Sequence, residues 1–224
     1  MSPYTQSLDN SLFVIPYHAV LKPHSSSTKL RVVFDAFAHT SWNHSLNDKM
    51  MVGPTIQQDL ITTLFSFRWI KYALTANISK MYRQFRIGEP DTRFLIVLWR
   101  SYKDYNMKVF QLNIVNNGLS AVPFFANSIS FLITDKYSKL HPSGSEVLRQ
   151  DLYVDDVHTG VDNIETPALK TDELIQILKW HGFDLAKLNS NHASLNSNDE
   201  EIVLKASDKD ITKTLDMSWK PQKE

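Results

Sequence analysis

The hydrophobic and polar positions alternate along several short stretches, a pattern typical of β-strands. Residues 29–35 alternate cationic with apolar side chains before a β-branched run, and residues 13–21 form a second apolar stretch that Pro16 interrupts. Together they predict an antiparallel hairpin with Lys29 and Arg31 on one face. Those two charges can equally be the solvent face of an edge strand, because edge strands often carry cations.

Further strands are predicted along the rest of the chain. Residues 94–99 are continuously apolar and residues 107–114 alternate, which predicts a second hairpin. Residues 69–76 predict a strand that ends at Asn77, and residues 211–219 predict a final strand pair. The first twelve residues are polar and are expected to be irregular.

Between these strands the apolar period changes to that of a helix. Thr55 is a candidate N-cap for a helix with an apolar face formed by Ile56, Leu60, Ile61, Leu64 and Phe65. Residues 119–132 predict a mostly buried helix, and Thr166 with Pro167 begins another that Gly182 ends. The order of strands and helices predicts an α+β fold with an antiparallel sheet.

Composition and charge exclude disulfide-rich proteins and membrane-spanning proteins from the expected classes. Lys plus Arg and Asp plus Glu number 24 each, so the formal net charge is zero, and there is no Cys. The sequence shows no membrane-length apolar run and no signal peptide, so we expect an intracellular protein of the cytoplasm or nucleus. Residues 68–100 are mainly basic and residues 151–173 mainly acidic, as for a phosphate-binding groove beside a metal site, although a solvated surface would look similar.

Residues 151–160 contain the pattern with the clearest chemistry. Asp155 and Asp156 lie between short apolar flanks, which predicts a hairpin with both carboxylates at its turn. Two adjacent carboxylates repel each other unless a cation lies between them, and Mg²⁺ prefers such oxygen ligands. The alternative is an ordinary exposed turn, since Asp is a common turn residue.

Several separate blocks, taken together, resemble the reverse transcriptases of Pao/BEL-type LTR retrotransposons. The resemblance extends from about Tyr17 to Pro221 in consistent order. The blocks are Thr28-Lys29-Leu30-Arg31-Val32-Val33-Phe34-Asp35-Ala36, Ser45-Leu46-Asn47-Asp48-Lys49 with Val52-Gly53-Pro54-Thr55, Leu74-Thr75-Ala76-Asn77-Ile78 with Lys80-Met81-Tyr82-Arg83-Gln84, and Tyr153-Val154-Asp155-Asp156 with Thr159-Gly160.

The resemblance implies a right-hand polymerase fold in one domain over residues 1–224. Residues 13–70 would be mainly fingers, 71–188 mainly palm, and 189–224 the start of the thumb and primer grip. Such enzymes copy an RNA or DNA template with a primer, using dNTPs and two Mg²⁺ or Mn²⁺ ions. The protease, RNase H and integrase expected in such polyproteins are absent from this sequence, and no membrane partner is expected.

The resemblance also assigns roles to individual residues. Asp155 and Asp156 match the metal-binding aspartates of the palm hairpin, while Lys29 and Arg31 match cations that hold the dNTP triphosphate. Three further matches concern the nucleotide. They are Tyr82, which would pack under the sugar, Gly118, in a block with Pro123 that lines the nucleotide pocket, and Lys187, which would approach the pyrophosphate leaving group.

The main departure from the family pattern is Asn77. The family has Leu-Thr-Ala-Asp-Ile, and its Asp bridges both metal ions, whereas this chain has Asn77. An amide offers one neutral oxygen in place of a charged carboxylate. Two smaller departures are Asn117, where the family usually has Tyr, and Asp216, where it has Gly.

These departures predict a polymerase with impaired or absent catalysis. The alternative is a non-catalytic, nucleic-acid-binding remnant of a decayed retroelement. A different two-metal enzyme such as a nuclease would need a further acidic cluster, which the sequence does not offer.

Overall fold

The computed structural model describes residues 1–5, 13–23, 29–163, 167–192, 212–214 and 217–219. The chain forms two compact units that are interleaved in sequence. Unit 1 is Met1–Pro54 with Tyr82–Pro123, and unit 2 is Thr55–Met81 with Phe124–Glu224. The assignment of fingers, palm and thumb to ranges of the chain stays a prediction.

The described residues form short strands and helices of short to medium length. The strands are β1 (Ser2–Pro3), β2 (Tyr17–Leu21), β3 (Leu30–Phe34), β4 (Tyr72–Ile78), β5 (Ile96–Trp99), β6 (Lys108–Gln111), β7 (Leu152–Tyr153), β8 (Asp156–Val161), β9 (Leu185–Ser190), β10 (Thr212–Thr214) and β11 (Met217–Trp219). The α-helices are α1 (Leu60–Trp69), α2 (Glu89–Thr92), α3 (Val122–Tyr137), α4 (Pro142–Gln150) and α5 (Pro167–Trp180), with 3₁₀ turns at Asn47–Lys49 and Met81–Gln84. The predicted α+β class is therefore confirmed.

The described residues of unit 1 form two small antiparallel sheets. β2 pairs with β3, and β5 pairs with β6, so both predicted hairpins are confirmed. The sheet of β5 and β6 also includes β1, and the prediction that the first residues are irregular is wrong for this segment. The apolar cluster beneath these strands is formed by Ile15, Leu95, Val97 and Leu112.

Unit 2 is built on a four-stranded antiparallel sheet in the order β7-β8-β4-β9. β4 is central, and its Ala-Leu-Thr-Ala segment is buried, as an apolar strand covered on both faces should be. Fully buried side chains complete the core of the unit: Leu74, Ile78, Val147, Leu148, Val157, Leu174, Ile177 and Leu178. The predicted final strand pair is present as β10 and β11.

Helix α1 begins later than the sequence predicts. Its N-cap is Asp59 rather than Thr55, because the Asp59 carboxylate accepts hydrogen bonds from the backbone N–H groups of Ile61 and Thr62 at 3.0 and 3.3 Å. The predicted apolar face is also wrong in part, since Ile61 and Phe65 are exposed. Phe67 is the buried anchor, and it packs with Ala73 and Trp219.

Helix α4 is absent from the sequence predictions. Its first turn, Pro-Ser-Gly-Ser, has weak helix formers, and the Glu173 carboxylate of α5 accepts the Gly144 N–H at 2.9 Å. An added Cβ at Gly144 would lie 2.7 Å from the Leu174 nitrogen, so glycine permits close packing of the two helices. None of the helices in the described ranges is long and apolar enough to cross a membrane.

Candidate functional site

The two aspartates lie at the turn between β7 and β8. Tyr153 pairs with Asp156, which leaves Val154 and Asp155 as a two-residue turn. Val154 has φ +59°, the conformation that the first position of a type II′ turn requires and that a β-branched residue rarely adopts. The Ile78 N–H donates to the Asp155 carbonyl at 2.7 Å and holds the turn against the end of β4. The predicted hairpin is confirmed, with Asp155 in the turn and Asp156 opening β8.

Asn77 lies directly opposite Asp156 in the β4–β8 pairing, so their side chains project from the same face of the sheet. The Asn77 Nδ2 donates a hydrogen bond to Asp156 Oδ1 at 2.9 Å. The amide nitrogen, and not the carbonyl oxygen, therefore faces this carboxylate. The structure brings together the three residues that the sequence places in a metal centre, but they contact one another directly.

The environment of Asp155 disfavours its ionised form. Burial raises the pKa of the Asp155 carboxyl, and the neighbouring charge of Asp156 raises it further. A hydrogen bond from Asn77 and the positive charge of Lys187 act in the opposite direction. The Asn77 amide thus interacts with both aspartates.

Lys187 is the fourth predicted residue within reach of this centre. In the pairing of β4 with β9, Thr75 lies opposite Asn189 and Asn77 opposite Ala186, so β9 contains one extra residue. Lys187 occupies this bulge with φ +54° and is exposed. Its charge acts on Asp155, but its predicted role toward a pyrophosphate leaving group stays a prediction.

The residues present do not fit the two-metal centre that the resemblance implies. A bridging position needs an anionic oxygen, whereas here Asn77 presents N–H donors toward the carboxylates. Across the residues that the structure describes, no group of three or more His, Cys, Asp or Glu side chains could hold a metal ion. The pair of carboxylates is instead linked by a neutral amide.

Glycine at position 160 positions β8 against β4. An added Cβ on Gly160 would lie 2.2 Å from the Tyr72 carbonyl oxygen and 2.5 Å from Ile70 Cγ2. Glycine is therefore required for the close approach of the two strands. The same pairing register places Asn77 opposite Asp156.

The remaining predicted site residues belong to unit 1. Arg31 lies in β3 opposite Val20 and is exposed, and Lys29 immediately precedes this strand and is also exposed. Tyr82 is half-buried in the 3₁₀ turn Met81–Gln84, at the start of the second segment of unit 1. Gly118 follows the exposed Asn117. Their roles in binding a nucleotide stay predictions, and Asp216 lies outside the described residues.

Asn47 is a positioning residue that the sequence did not reveal. Its side chain is 8% exposed, its Nδ2 donates to the Gly118 carbonyl at 2.8 Å, and its Oδ1 accepts the Ser120 N–H at 2.9 Å. Reciprocal hydrogen bonds between Ser45 and Asp48 hold its own 3₁₀ turn. The Ser-x-x-Asp spacing is a capping signal that could have marked this turn, but not its distant partner.

Gly118 itself is held in a position that only glycine can occupy. Its φ is +109°, and an added Cβ would lie 2.3 Å from the Phe34 carbonyl oxygen of β3. The turn before α3 is thus fixed from two sides, by Asn47 and by β3.

Comparison with known proteins supports the fold. No family model matches the sequence, and no curated protein matches it. Among solved structures, native Prototype Foamy Virus Protease-Reverse Transcriptase is similar with a TM-score of 0.58 and 16% identity, over 82% of this chain and 21% of that chain. The CSH mutant of the same viral protein gives a TM-score of 0.59 and 17% identity, over 80% of this chain and 21% of that one.

These similarities show that the chain has a fold like that of a retroviral reverse transcriptase. The chain spans about a fifth of the length of each viral protein, so it corresponds to a part of them.

Proposed function

We propose that this chain is a reverse transcriptase domain of the Pao/BEL type that binds an RNA or DNA template with its primer but is impaired in DNA synthesis from dNTPs. The blocks of sequence and the similarity to the viral fold support the polymerase origin. The observation that carries the proposal is the hydrogen bond from Asn77 Nδ2 to Asp156 Oδ1, at the position where the family has a bridging aspartate.

The expected loss of activity follows from the charge of the centre. Two Mg²⁺ or Mn²⁺ ions would supply activation of the primer hydroxyl and neutralisation of the triphosphate, and they need carboxylates from two strands. Asp155 and Asp156 come from one hairpin, and β4 supplies an amide. Loss of one strong electrostatic stabiliser typically lowers turnover by about 10²- to 10³-fold. Loss of a ligand that bridges both metal ions should lower turnover by more than this.

A primer-extension assay tests the proposal. The wild type and Asn77→Asp are compared on the same primer–template with dNTPs in Mg²⁺ and in Mn²⁺. We expect little extension by the wild type and at least about 100-fold faster extension by Asn77→Asp, because the variant restores the anionic bridge. The matched control is Asn43→Asp, which makes the same chemical change at an exposed position of unit 1 and keeps the oxygen that accepts from His39.

Two results of this assay would contradict the proposal. One is rapid extension by the wild type, which would show that Asn77 suffices. The other is failure of Asn77→Asp to extend while it still binds the primer–template, which would show that the defect lies elsewhere. A further triple variant, Asn77→Asp with Asp155→Asn and Asp156→Asn, should remove any restored activity.

The second candidate function is nucleic-acid binding without chemistry. The contacts of Asn77 favour it, because this amide donates hydrogen bonds to both aspartates and so holds them together without a cation. Salt-dependent binding of a primer–template by the wild type, without extension in either metal, would support it. Absence of binding at low salt would exclude it.

A further inference from the structure

The β5–β6 hairpin of unit 1 carries exposed rings that none of the roles above uses. Its connecting loop runs from residue 100 to residue 107, and the side chains of Tyr102 and Tyr105 are 70% and 62% exposed. Their ring centroids lie 5.6 Å apart, and the Tyr105 N–H donates to the Tyr102 carbonyl at 3.1 Å across a turn. We call the set Trp99, Arg100, Tyr102, Lys103, Tyr105 and Lys108 the aromatic tip.

Tyr17 supports one face of the Trp99 ring. It stacks on Tyr17 of β2, with centroids 6.2 Å apart and an angle of 28° between the planes. The Tyr17 hydroxyl donates to the Leu98 carbonyl at 2.9 Å, which fixes the supporting ring. Trp99 remains 45% exposed, so it offers an anchored aromatic surface to solvent.

The aromatic tip is positively charged although the whole chain is neutral. Residues 99–108 contain Arg100, Lys103 and Lys108 against Asp104, which gives 3 − 1 = +2. Lys108 lies directly opposite Trp99 in the strand pairing, so the cation and the ring share one face. The Arg100 guanidinium donates to the Lys103 carbonyl at 3.3 Å, which keeps these two cationic residues together.

We propose that the aromatic tip binds single-stranded nucleic acid. Bases would stack on the rings of Tyr102, Tyr105 and Trp99, and the phosphates would lie against the interleaved cations. Aromatic rings alternating with Arg and Lys are the combination that holds an unpaired strand, because every base has a flat π-face and every linkage a negative charge. The occupant is a polyanion because the cations are spaced among the rings, whereas a protein partner is expected at a continuous apolar patch.

This inference deepens the proposed function, on which it rests for the class of ligand, by naming an unpaired strand as the partner of unit 1. The carboxylate pair belongs to unit 2, so the two proposals use different residues and can fail separately.

Fluorescence anisotropy with two labelled oligonucleotides tests the inference. One is a 20-mer of uridine and the other an abasic 20-mer with the same phosphates. The wild type should bind the uridine strand more tightly than the abasic strand. Tyr102→Ala with Tyr105→Ala should raise the Kd for the uridine strand at least about tenfold, since loss of one stacked base already costs roughly 5- to 150-fold. The Kd for the abasic strand should change little.

Matched variants separate the ring from other effects. Tyr102→Phe with Tyr105→Phe keeps both rings and should bind like the wild type. Trp42→Ala removes another exposed ring of unit 1, outside the aromatic tip, and should also leave the Kd unchanged. Lys103→Ala should reduce the slope of log K against log salt by about 0.7, the value for one phosphate contact on a single strand.

Three results would overturn the inference. They are equal affinity of the wild type for the uridine and abasic strands, unchanged binding by the double alanine variant with native circular dichroism, and self-association of the wild type that this variant abolishes. The last result would make the aromatic tip an interface between copies of the chain. Restored extension by Asn77→Asp is measured independently of all three.

Discussion

The replacement Asn77→Asp should make the folded state of unit 2 depend on Mg²⁺. In the wild type the Asn77 amide donates to Asp156 at 2.9 Å and also interacts with Asp155. The aspartate variant loses this donor and places a third carboxylate against the other two. We therefore expect the variant to be less stable than the wild type in EDTA and to recover stability when Mg²⁺ is added.

The size of the effect follows from the contacts. A hydrogen bond to a charged group contributes about 1.5–3 kcal/mol. Two charges about 4 Å apart repel by about 4 kcal/mol at an effective dielectric constant of 20, and proton uptake by the crowded carboxyls relieves part of this. A net loss of about 3 kcal/mol corresponds to a Tm lower by roughly 6–12 °C for a chain of this size.

Thermal unfolding followed by circular dichroism, near neutral pH, measures both changes. Mg²⁺ at about ten times its Kd for the variant should return about 1.4 kcal/mol of unfolding free energy. The wild type should gain much less, because its carboxylates are already linked by an amide. Asn43→Asp, at an exposed position of unit 1, should behave like the wild type in both buffers, because the aspartate keeps the oxygen that accepts from His39. Equal stabilisation of the wild type and Asn77→Asp by Mg²⁺, or an equal Tm of the two proteins in EDTA, would show that the Asn77 amide does not hold the two carboxylates.

Three further predictions concern the supports of the fold. Asn47→Ala should lower the free energy of unfolding, measured by urea titration, by about 2–3 kcal/mol, because it leaves the Gly118 carbonyl and the Ser120 N–H without their partner. A loss below about 0.5 kcal/mol would contradict this prediction. Gly118→Ala should unfold unit 1 or lower the free energy of unfolding by more than about 3 kcal/mol. Gly182 also has a positive φ but has open space around it, so Gly182→Ala should lower the free energy of unfolding by only about 1 kcal/mol. Equal losses would contradict the steric argument. Burial raises the pKa of the Asp151 carboxyl, so the wild type loses stability as the pH rises from the ordinary pKa near 3.8 to the raised value. Asp151→Asn lacks this loss, and its Tm relative to that of the wild type should therefore increase between pH 4 and pH 7. A Tm difference that decreases over this range would contradict the prediction.

The sequence was sufficient to locate the candidate centre. The Asp-Asp pair between β-prone flanks predicted the β7–β8 hairpin, and the apolar run before Asn77 predicted β4, because both signals are local. The contact between Asn77 and Asp156 could not be predicted in the same way. It depends on a strand register across 79 positions of sequence, which Gly160 and the close approach of the two strands fix.

The wrong predictions for helices α1 and α4 have a related cause. Thr55 and Asp59 are both competent N-caps, and only the hydrogen bonds of the folded chain show that Asp59 is used. Helix α4 begins with weak helix formers and is capped by the carboxylate of Glu173, which lies 29 residues further along the chain than Gly144. Local propensity therefore gave no signal for an element that packing stabilises.

The number of Mg²⁺ ions bound at Asp155 and Asp156 decides whether Asn77 prevents assembly of a two-metal centre. Isothermal titration with Mg²⁺ is carried out on the full chain with a primer–template ending in a 3′-deoxy nucleotide and the next dNTP, so that no transfer occurs. We expect at most one bound ion for the wild type and two for Asn77→Asp. If the wild type binds two ions as tightly as Asn77→Asp does, then Asn77 does not disable the centre.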